Sequence, residues 1–214
     1  MMLSFNQTKS LLDKYRIGLL EGFLVKGEPG LEKILKEKKL RFPLALKIQS
    51  PDIIHKTDVN GVVLGIKNEG EALKAFKELL RTVKKKASRA RIQGVLVQEM
   101  KQGTEVIIGG KLDETFGPIV LFGLGGILVE LLKDTSIRVC PINKTDAVEM
   151  IRELKGYPLL KGFRGMKAVN FKALTDLLLK TSNLMMHEEI KELDLNPVMA
   201  DEKNAWVVDA RIIR

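Results

Sequence analysis

The stretch that decides the fold is "IKELDLNPV" (190–198), which a short turn separates from "AWVVDARII" (205–213). Both segments alternate apolar and polar residues, and side chains along a β-strand point to opposite faces in turn. The alternation sets Leu193 and Leu195 on one face of the first strand and three polar residues on the other: Glu192, Asp194 and Asn196. In the second strand it groups Trp206, Val208, Ala210 and Ile212 against Asp209 and Arg211. The sequence therefore predicts a hairpin that buries one face and lines something polar with the other.

The polar face of this hairpin predicts a magnesium site. If the turn is centred between Glu202 and Lys203, Asn196 lies directly across from Asp209. An amide oxygen opposite a carboxylate suits a hard cation such as Mg²⁺, and substrate phosphates would complete its octahedron. An ordinary hairpin with its charges in water gives the same pattern. It does not explain why this face is acidic in a chain whose net charge is +9.

The composition limits the class of protein. With 214 residues, 45% of them hydrophobic, the chain can form one large domain or two small lobes that share a cleft. Its single cysteine, Cys140, excludes an internal disulfide framework and fits a reducing cytoplasm. The start lacks a secretory signal, and the most apolar window (119–132) is too short to span a bilayer. We therefore expect a cytoplasmic protein with no membrane partner.

The positive charge admits nucleic acid, a polyanionic small molecule or an acidic protein surface as partner. The main basic cluster is "RTVKKKASRAR" (81–91), at the end of a predicted helix, where cations suit the helix dipole. Aromatic residues are 5% of the chain and do not interleave with this cluster, so it offers no stacking platform for single strands. We therefore do not expect a nucleic-acid partner.

Elsewhere the hydrophobic periodicity predicts a mixture of helices and strands. Helices are expected over 8–15, 29–39 and 71–86, and two more after the N-caps Asn143 and Asn170. Strands are expected over these ranges: 42–49, 61–67, 94–100, 104–110, 117–122 and 136–142. "KQG" (101–103) then marks a hairpin or a hinge. This is a mixed α/β chain with hairpin-rich sheets and no regular βαβ alternation.

Two loops carry candidate chemistry. In "KIQSPDIIHKTDVNGVVLG" (47–65) a Ser-Pro turn follows a strand that contains Lys47, and His55 lies beyond the turn. From the residues alone, His55 fits an ordinary surface loop better than a nucleophile beside a phosphate-binding lysine. In "GLGG" (123–126) no Lys-Ser/Thr follows, so this is not a P-loop. Such glycines can bring backbone N–H groups to a phosphate, and a tight turn explains them equally well.

Six motifs, in order along essentially the whole chain, resemble the ATP-grasp fold. They are "SPDIIHKTD", "GVLVQEM", "EVIIGGKLDETFGPIVLFGLGGILVELLKD", "YPLLKGFRG", "ELDLNPV" and "VVDARI". The resemblance is greatest to the beta subunits of ADP-forming acetyl-CoA synthetases (acetate–CoA ligases). It implies two lobes of mixed or antiparallel sheet, approximately 1–99 and 100–214, with helices enclosing a cleft for ATP or ADP and Mg²⁺.

The resemblance also assigns roles to individual residues. Lys47 would contact the α- and β-phosphates, and the hinge residues Gln98, Glu99 and Met100 would meet adenine, largely through backbone groups. Glu105 and Arg138 would line the nucleotide cleft, and a loop containing three glycines would close on phosphate: Gly123, Gly125 and Gly126. Asn196 and Asp209 would bind magnesium, with Asp194 or Glu192 in support.

The resemblance implies a catalytic role for His55. In this family an alpha-subunit histidine takes the phosphoryl group of an acyl phosphate, and a beta-subunit histidine in the Ser-Pro-Asp loop relays it to ADP. Imidazole is a suitable phosphoryl acceptor, and Lys47 with Mg²⁺ can neutralise the developing charge. The other histidine, His187, is expected to be structural.

The implied partner is a CoA-binding alpha subunit, in a two-plus-two heterotetramer. Two other functions stay open: another ATP-grasp carboxylate ligase, against which His55 counts, and a nucleotide-binding subunit without turnover of its own. The chain departs from the family at two turn positions, where Arg16 and Asn60 replace the usual glycines. We expect little damage at either position, since Asn tolerates positive φ better than most residues.

Overall fold

The computed structural model describes residues 1–38, 40–53, 55–126, 134–165 and 167–214. Its helices are α1 (Phe5–Lys14), α2 (Glu28–Glu37), α3 (Glu69–Lys86), α4 (Lys144–Arg152), α5 (Tyr157–Leu160) and α6 (Phe171–His187). Its strands are β1 (Gly22–Val25), β2 (Leu44–Gln49), β3 (Val62–Ile66), β4 (Gly94–Glu99), β5 (Thr104–Asp113), β6 (Gly117–Leu124), β7 (Thr135–Val139), β8 (Glu192–Ala200), β9 (Ala205–Val207) and β10 (Ala210–Ile213). None of the helices in these ranges is long and apolar enough to cross a membrane.

Residues 21–100 form one compact unit. Its sheet is antiparallel in the order β1–β4–β2–β3. Helix α3 begins at Asn68, whose side chain accepts a hydrogen bond from the Glu71 N–H (2.9 Å), and its apolar stripe packs Phe76 and Leu79 into the core. The core also takes Leu46 and Ile48 from β2. Because side chains alternate, Lys47 and Gln49 lie on the other face of the sheet.

Residues 1–20 and 101–214 form the other unit. Its antiparallel sheet has the order β10–β8–β5–β6–β7, and β9 also pairs with β8. Helices α4 and α6 share a core with one face of this sheet, which we call the helix face. Both helices begin at the predicted N-caps: Asn143 accepts from the Thr145 and Asp146 N–H groups, and Asn170 from the Ala173 N–H. The opposite face of the sheet, here the open face, carries several of the predicted site residues.

The division of the chain differs from the expected boundary near residue 100 in one respect: residues 1–20 cluster with the C-terminal half. Leu12 and Ile17 belong to the core of the larger sheet, and the Leu20 N–H donates to the Val207 carbonyl (2.7 Å). These are non-local contacts that the sequence pattern does not reveal. Strands β4 and β5 belong to different sheets, so "KQG" joins the two units and does not form a hairpin.

One face assignment in the final hairpin was wrong. The buried residues of its second strand are Val207 and Ile212, which lie five positions apart and cannot follow one strict alternation. Strand β9 ends at Val207 and β10 begins at Ala210, so the pattern shifts by one residue at Val208–Asp209. Trp206 therefore lies opposite the core and packs under the Lys101 ammonium, 5.1 Å from the ring centroid.

Glu188 ties both ends of the larger unit to the C-terminus of α6. Its carboxylate accepts hydrogen bonds from Lys14 Nζ (2.6 Å), the Tyr15 hydroxyl (3.0 Å) and Arg214 Nη2 (2.7 Å). The bond from Lys14 is the main cause of a lowered Glu188 pKa. A lowered folded-state pKa contributes stability that is present above the unfolded value and is lost as pH falls through the folded one.

We therefore expect Glu188→Gln to lower the free energy of unfolding at pH 7 by about 1 kcal/mol. The difference from the wild type should shrink below about pH 4, where the unfolded carboxyl itself takes up a proton. Urea unfolding of both proteins across this range measures the effect. An equal difference at pH 7 and pH 3 would contradict an ionic origin.

Candidate functional site

Lys47 lies in the middle of β2, where it is 5% exposed. It faces Leu96 on one neighbouring strand and Val62 on the other. Two residues further along the same face is Gln49, whose Nε2 is buried and meets no hydrogen-bond acceptor among the described residues. A buried amide donor without an acceptor destabilises the protein, and an anionic ligand would satisfy it. This stretch of β2 therefore suits a phosphate.

The end of β4 is fixed to its own sheet. Glu99 Oε1 accepts from the Arg41 N–H (2.9 Å), and the Met100 N–H donates to the Pro43 carbonyl (3.1 Å). The Met100 sulfur accepts from the Gly65 N–H (3.1 Å). Gln98, the residue immediately before Glu99, is 1% exposed. Because the Met100 N–H is already paired, an adenine contact at this residue would have to use its carbonyl.

The loop that carries His55 is anchored on both sides of it. Ile53 and Val59 pack into the core of the smaller unit, whereas His55 is exposed. The loop closes where the Gly61 N–H donates to the Lys56 carbonyl (2.6 Å), one residue after Asn60, which has φ 53°. Arg16, the other departure from the family pattern, has φ 56°. Both residues adopt the left-handed conformation that the resemblance predicts at these turns.

On the larger sheet the structure brings Glu105 and the glycine loop together. The Gly125 N–H donates to the Glu105 carbonyl (2.6 Å). A Cβ at Gly125 would come within 2.4 Å of Glu105 Cγ, so only glycine fits this close approach. Gly126 has φ 67°, and Gly123 lies on the open face with Glu105. The predicted carboxylate and the predicted phosphate loop are therefore neighbours.

Asn196 and Asp209 face each other, as the sequence predicts. The pairs Leu195–Ala210 and Val198–Val207 fix this register on either side. The Asn196 N–H donates to the Asp209 carbonyl (3.1 Å). Against β5, two residues of β8 (196–197) oppose the single residue Ile107, which is a β-bulge. Bulges of this kind redirect a side chain and are frequent beside active sites.

The ligand chemistry of this pair fits magnesium. Cross-strand neighbours have Cβ atoms roughly 5 Å apart, so an amide oxygen and a carboxylate here can share one cation. Mg²⁺ prefers one or two protein oxygens and completes its shell with phosphate and water. Asp209 Oδ1 accepts a bond from the Ala210 N–H (3.0 Å), which orients the carboxylate.

Asp194 and Glu192 share the open face with Arg211. The sequence pattern predicts this face for Arg211 but does not predict the carboxylates that it contacts. Arg211 is directly opposite Asp194, and its Nη2 lies 2.5 Å from Glu192 Oε1 and 3.9 Å from Asp194 Oδ2. The acidic face is therefore partly neutralised within the hairpin. A supporting role for Asp194 at a metal stays a prediction, and it would compete with this contact.

On the larger sheet, Arg138 lies on a different face from Glu105 and Gly123. Arg138 is opposite Val120, a core residue, and so lies on the helix face, whereas Glu105 lies on the open face. Its guanidinium makes a bidentate pair with Glu153, the C-cap of α4, with both N–O distances 2.9 Å. The pair raises the pKa of Arg138 and lowers that of Glu153. Sequence reasoning missed Glu153, because nothing local signals a pairing 15 residues away.

Comparisons with known proteins identify the family. The ATP-grasp domain family matches residues 1–213. The beta subunit of ADP-forming acetate–CoA ligase I from Pyrococcus furiosus is 46% identical over 209 residues, covering 97% of this chain and 89% of that protein.

Solved structures of acetyl-coenzyme A synthetase 1 from Ca. Korarchaeum cryptofilum are also similar. A complex with coenzyme A and Ca-AMPCP has a TM-score of 0.92 and 43% identity, covering 99% of this chain and 93% of that one. A complex with coenzyme A and Mg-AMPPCP, whose phosphohistidine segment points towards the nucleotide binding site, has a TM-score of 0.80 and 40% identity, covering 99% and 91%.

The fold and the match to the family model together identify the chain as an ATP-grasp domain. Within that class, the chain belongs to the family of the beta subunits of ADP-forming acetate–CoA ligases. The fold class and the family that the six motifs indicate are both confirmed.

Proposed function

We propose that this chain is the nucleotide-binding subunit of an ADP-forming acyl-CoA synthetase, an acid–thiol ligase. The overall reaction is acyl-CoA + ADP + phosphate ⇌ carboxylate + ATP + CoA. The observation that carries the proposal is His55, exposed in an anchored loop that continues from the strand of the buried Lys47. Carboxylate–amine ligases of the same fold need no histidine relay, so this loop favours the synthetase.

In this proposal Lys47 and the Gln49 amide bind phosphate oxygens, and the carbonyls near Met100 contact adenine. The loop of Gly123, Gly125 and Gly126 closes on phosphate beside Glu105. Because the Gly125 N–H already donates to the Glu105 carbonyl, the contact with phosphate uses other groups of this loop. His55 accepts the phosphoryl group on a ring nitrogen and passes it to the terminal phosphate of ADP.

Arg138 keeps a structural role, since its side chain lies on the helix face of the sheet and pairs there with Glu153 at the end of α4.

Magnesium is the cation we assign to Asn196 and Asp209. Bound there, it would supply positive charge to phosphate oxygens and screen their repulsion. A Mg-AMPPCP complex of a similar synthetase supports this choice of metal. The two side chains contribute an amide oxygen and a carboxylate held in register by the hairpin, which orients them before any ligand binds.

The partner we propose is a CoA-binding alpha subunit, in an arrangement of two alpha and two beta chains in the cytoplasm. The designation "subunit beta" of the Pyrococcus furiosus relative supports a partner subunit, and the coenzyme A in the similar Korarchaeum complex supports its ligand. The acyl group is then chosen by the partner's pocket.

The test of this function compares the pure chain with the chain plus its candidate alpha subunit. The chain alone should bind Mg-ADP or Mg-ATP, measured by calorimetry, and should form no ATP from acetyl-CoA, ADP and phosphate. ATP formation should appear on adding the alpha subunit. Robust synthesis by the chain alone would contradict the division of labour. Nucleotide binding without synthesis in the presence of the partner would indicate a regulatory subunit.

A further inference from the structure

The His55 loop is held by an ion pair that the proposed mechanism does not use. The Asp52 carboxylate, three residues before His55, accepts three hydrogen bonds from one residue, Arg91. They come from the Arg91 backbone N–H (2.7 Å) and Nε (3.1 Å) to Oδ2, and from Nη2 (3.0 Å) to Oδ1. Side-chain and backbone donors converge on one carboxylate, so the pair favours one orientation of the first turn of the loop.

The second half of the loop is attached to the same region of the smaller unit. Lys86 Nζ, in the last turn of α3, donates to the Asp58 carbonyl (3.3 Å). Residues 86–91 therefore hold the loop on both sides of His55. Two cations of the basic cluster 81–91, Lys86 and Arg91, therefore contact the histidine loop.

The Asp52–Arg91 pair combines defined geometry with access to water. The bonds from Arg91 lower the pKa of Asp52, and Asp52 raises that of Arg91, so both groups stay charged near neutral pH. The Arg91 side chain is 79% exposed and that of Asp52 35%. Exposed ion pairs are weak even when their geometry is good, because water competes for both partners. Such a pair orients a loop but still allows the loop to change its conformation.

We propose that Arg91 is a positioning residue for the phosphoryl relay: through Asp52 it holds His55 in the orientation that accepts the phosphoryl group from nucleotide. The inference rests on the proposed function of His55. Phosphoryl transfer needs the nucleophile aligned and about 3–3.5 Å from phosphorus, and small misplacements slow such steps severely. Because the pair is exposed, the loop can also leave this orientation when the partner subunit requires His55.

The test measures phosphorylation of the full chain by Mg-[γ-³²P]ATP. We expect Arg91→Ala to slow the appearance of acid-labile, base-stable label about tenfold, with the Kd for Mg-ATP unchanged. Arg91→Lys should recover part of the rate, because it keeps the charge and the backbone N–H bond but loses the bidentate geometry. Arg89→Ala, which removes an exposed arginine from the same segment, should behave as the wild type.

A double-mutant cycle ties the effect to Asp52. Asp52→Asn should slow labelling to a similar degree, and Asp52→Asn with Arg91→Ala should be no slower than either single variant. Unchanged labelling in Arg91→Ala, or additive losses in the double variant, would overturn the proposal. So would an equal loss of Mg-ATP affinity, which would indicate a general defect.

Amide hydrogen exchange separates the two hypotheses if the wild type takes up no label. Missing label would refute the role of His55 in the proposed function, and with it the relay that Arg91 is proposed to serve. Faster exchange over residues 52–61 in Arg91→Ala, but not in Arg89→Ala, would still support Arg91 as the residue that orders the loop. Equal exchange in both variants would overturn that as well.

Discussion

His55→Asn is expected to abolish formation of ATP from acetyl-CoA, ADP and phosphate when the chain is combined with its alpha subunit. Asparagine keeps a similar size and some hydrogen bonding, but it has no nitrogen that can accept a phosphoryl group. Without the covalent intermediate no relay remains, so the rate should fall by at least about 10³-fold, and removal of a nucleophile can cost as much as about 10⁶-fold. The protein should also lose its acid-labile, base-stable label from Mg-[γ-³²P]ATP.

Nucleotide binding is expected to survive this substitution, because His55 is exposed and is not part of the core that packs against the strand of Lys47. The Kd for Mg-ADP should therefore stay within about twofold of the wild type. The matched control is His187→Asn: His187 is also exposed, and its Nδ1 lies 2.9 Å from the Asn183 carbonyl at the end of α6. That variant should label and turn over normally. A wild-type rate of ATP formation in His55→Asn would make His55 an ordinary loop residue.

The final hairpin shows both the reach and the limit of reasoning from sequence. Alternation and a turn centred at residues 202–203 predict the Asn196–Asp209 pair correctly, because the register of a hairpin follows from its turn. The same alternation placed Trp206 on the wrong face. It assumed one uninterrupted strand, whereas the irregularity at 208–209 lies opposite the bulge at 196–197. A bulge depends on the neighbouring strands, so the local sequence pattern does not predict it.

Partners distant in sequence were the other class of features that could not be predicted. Asp52 binds Arg91 across 39 residues, and Arg138 binds Glu153 across 15. Neither pairing follows from periodicity, since each depends on how a loop or helix end packs against a sheet.

The short strand β1 (Gly22–Val25) was also missed, because four residues show too little alternation to be recognised as a strand. In contrast, N-caps Asn68, Asn143 and Asn170 act within three residues, and the two that were predicted are confirmed.

The second large effect is expected from the hairpin's oxygen ligands. Asp209→Asn should lower phosphoryl transfer by at least about 100-fold, the loss typical of removing one electrostatic contact to the reacting group. Asparagine retains the oxygen that accepts from the Ala210 N–H (3.0 Å), so the local backbone should keep its geometry. What is lost is the negative charge facing the proposed cation. Asn196→Ala removes the other ligand and should give a loss of similar size.

Metal binding provides a readout for these variants that does not depend on turnover. Mn²⁺ can replace Mg²⁺ at such oxygen sites, and its electron paramagnetic resonance signal reports binding with ADP present. The wild type should bind Mn²⁺ at least about tenfold more tightly than Asp209→Asn. Asp194→Asn should show a smaller loss, because Arg211 already lies opposite that carboxylate (3.9 Å). Asp176→Asn, which removes an exposed charge from α6, should bind as the wild type. Unaltered Mn²⁺ affinity in both Asp209→Asn and Asn196→Ala would place the cation elsewhere, and the facing pair would then be an ordinary feature of the hairpin.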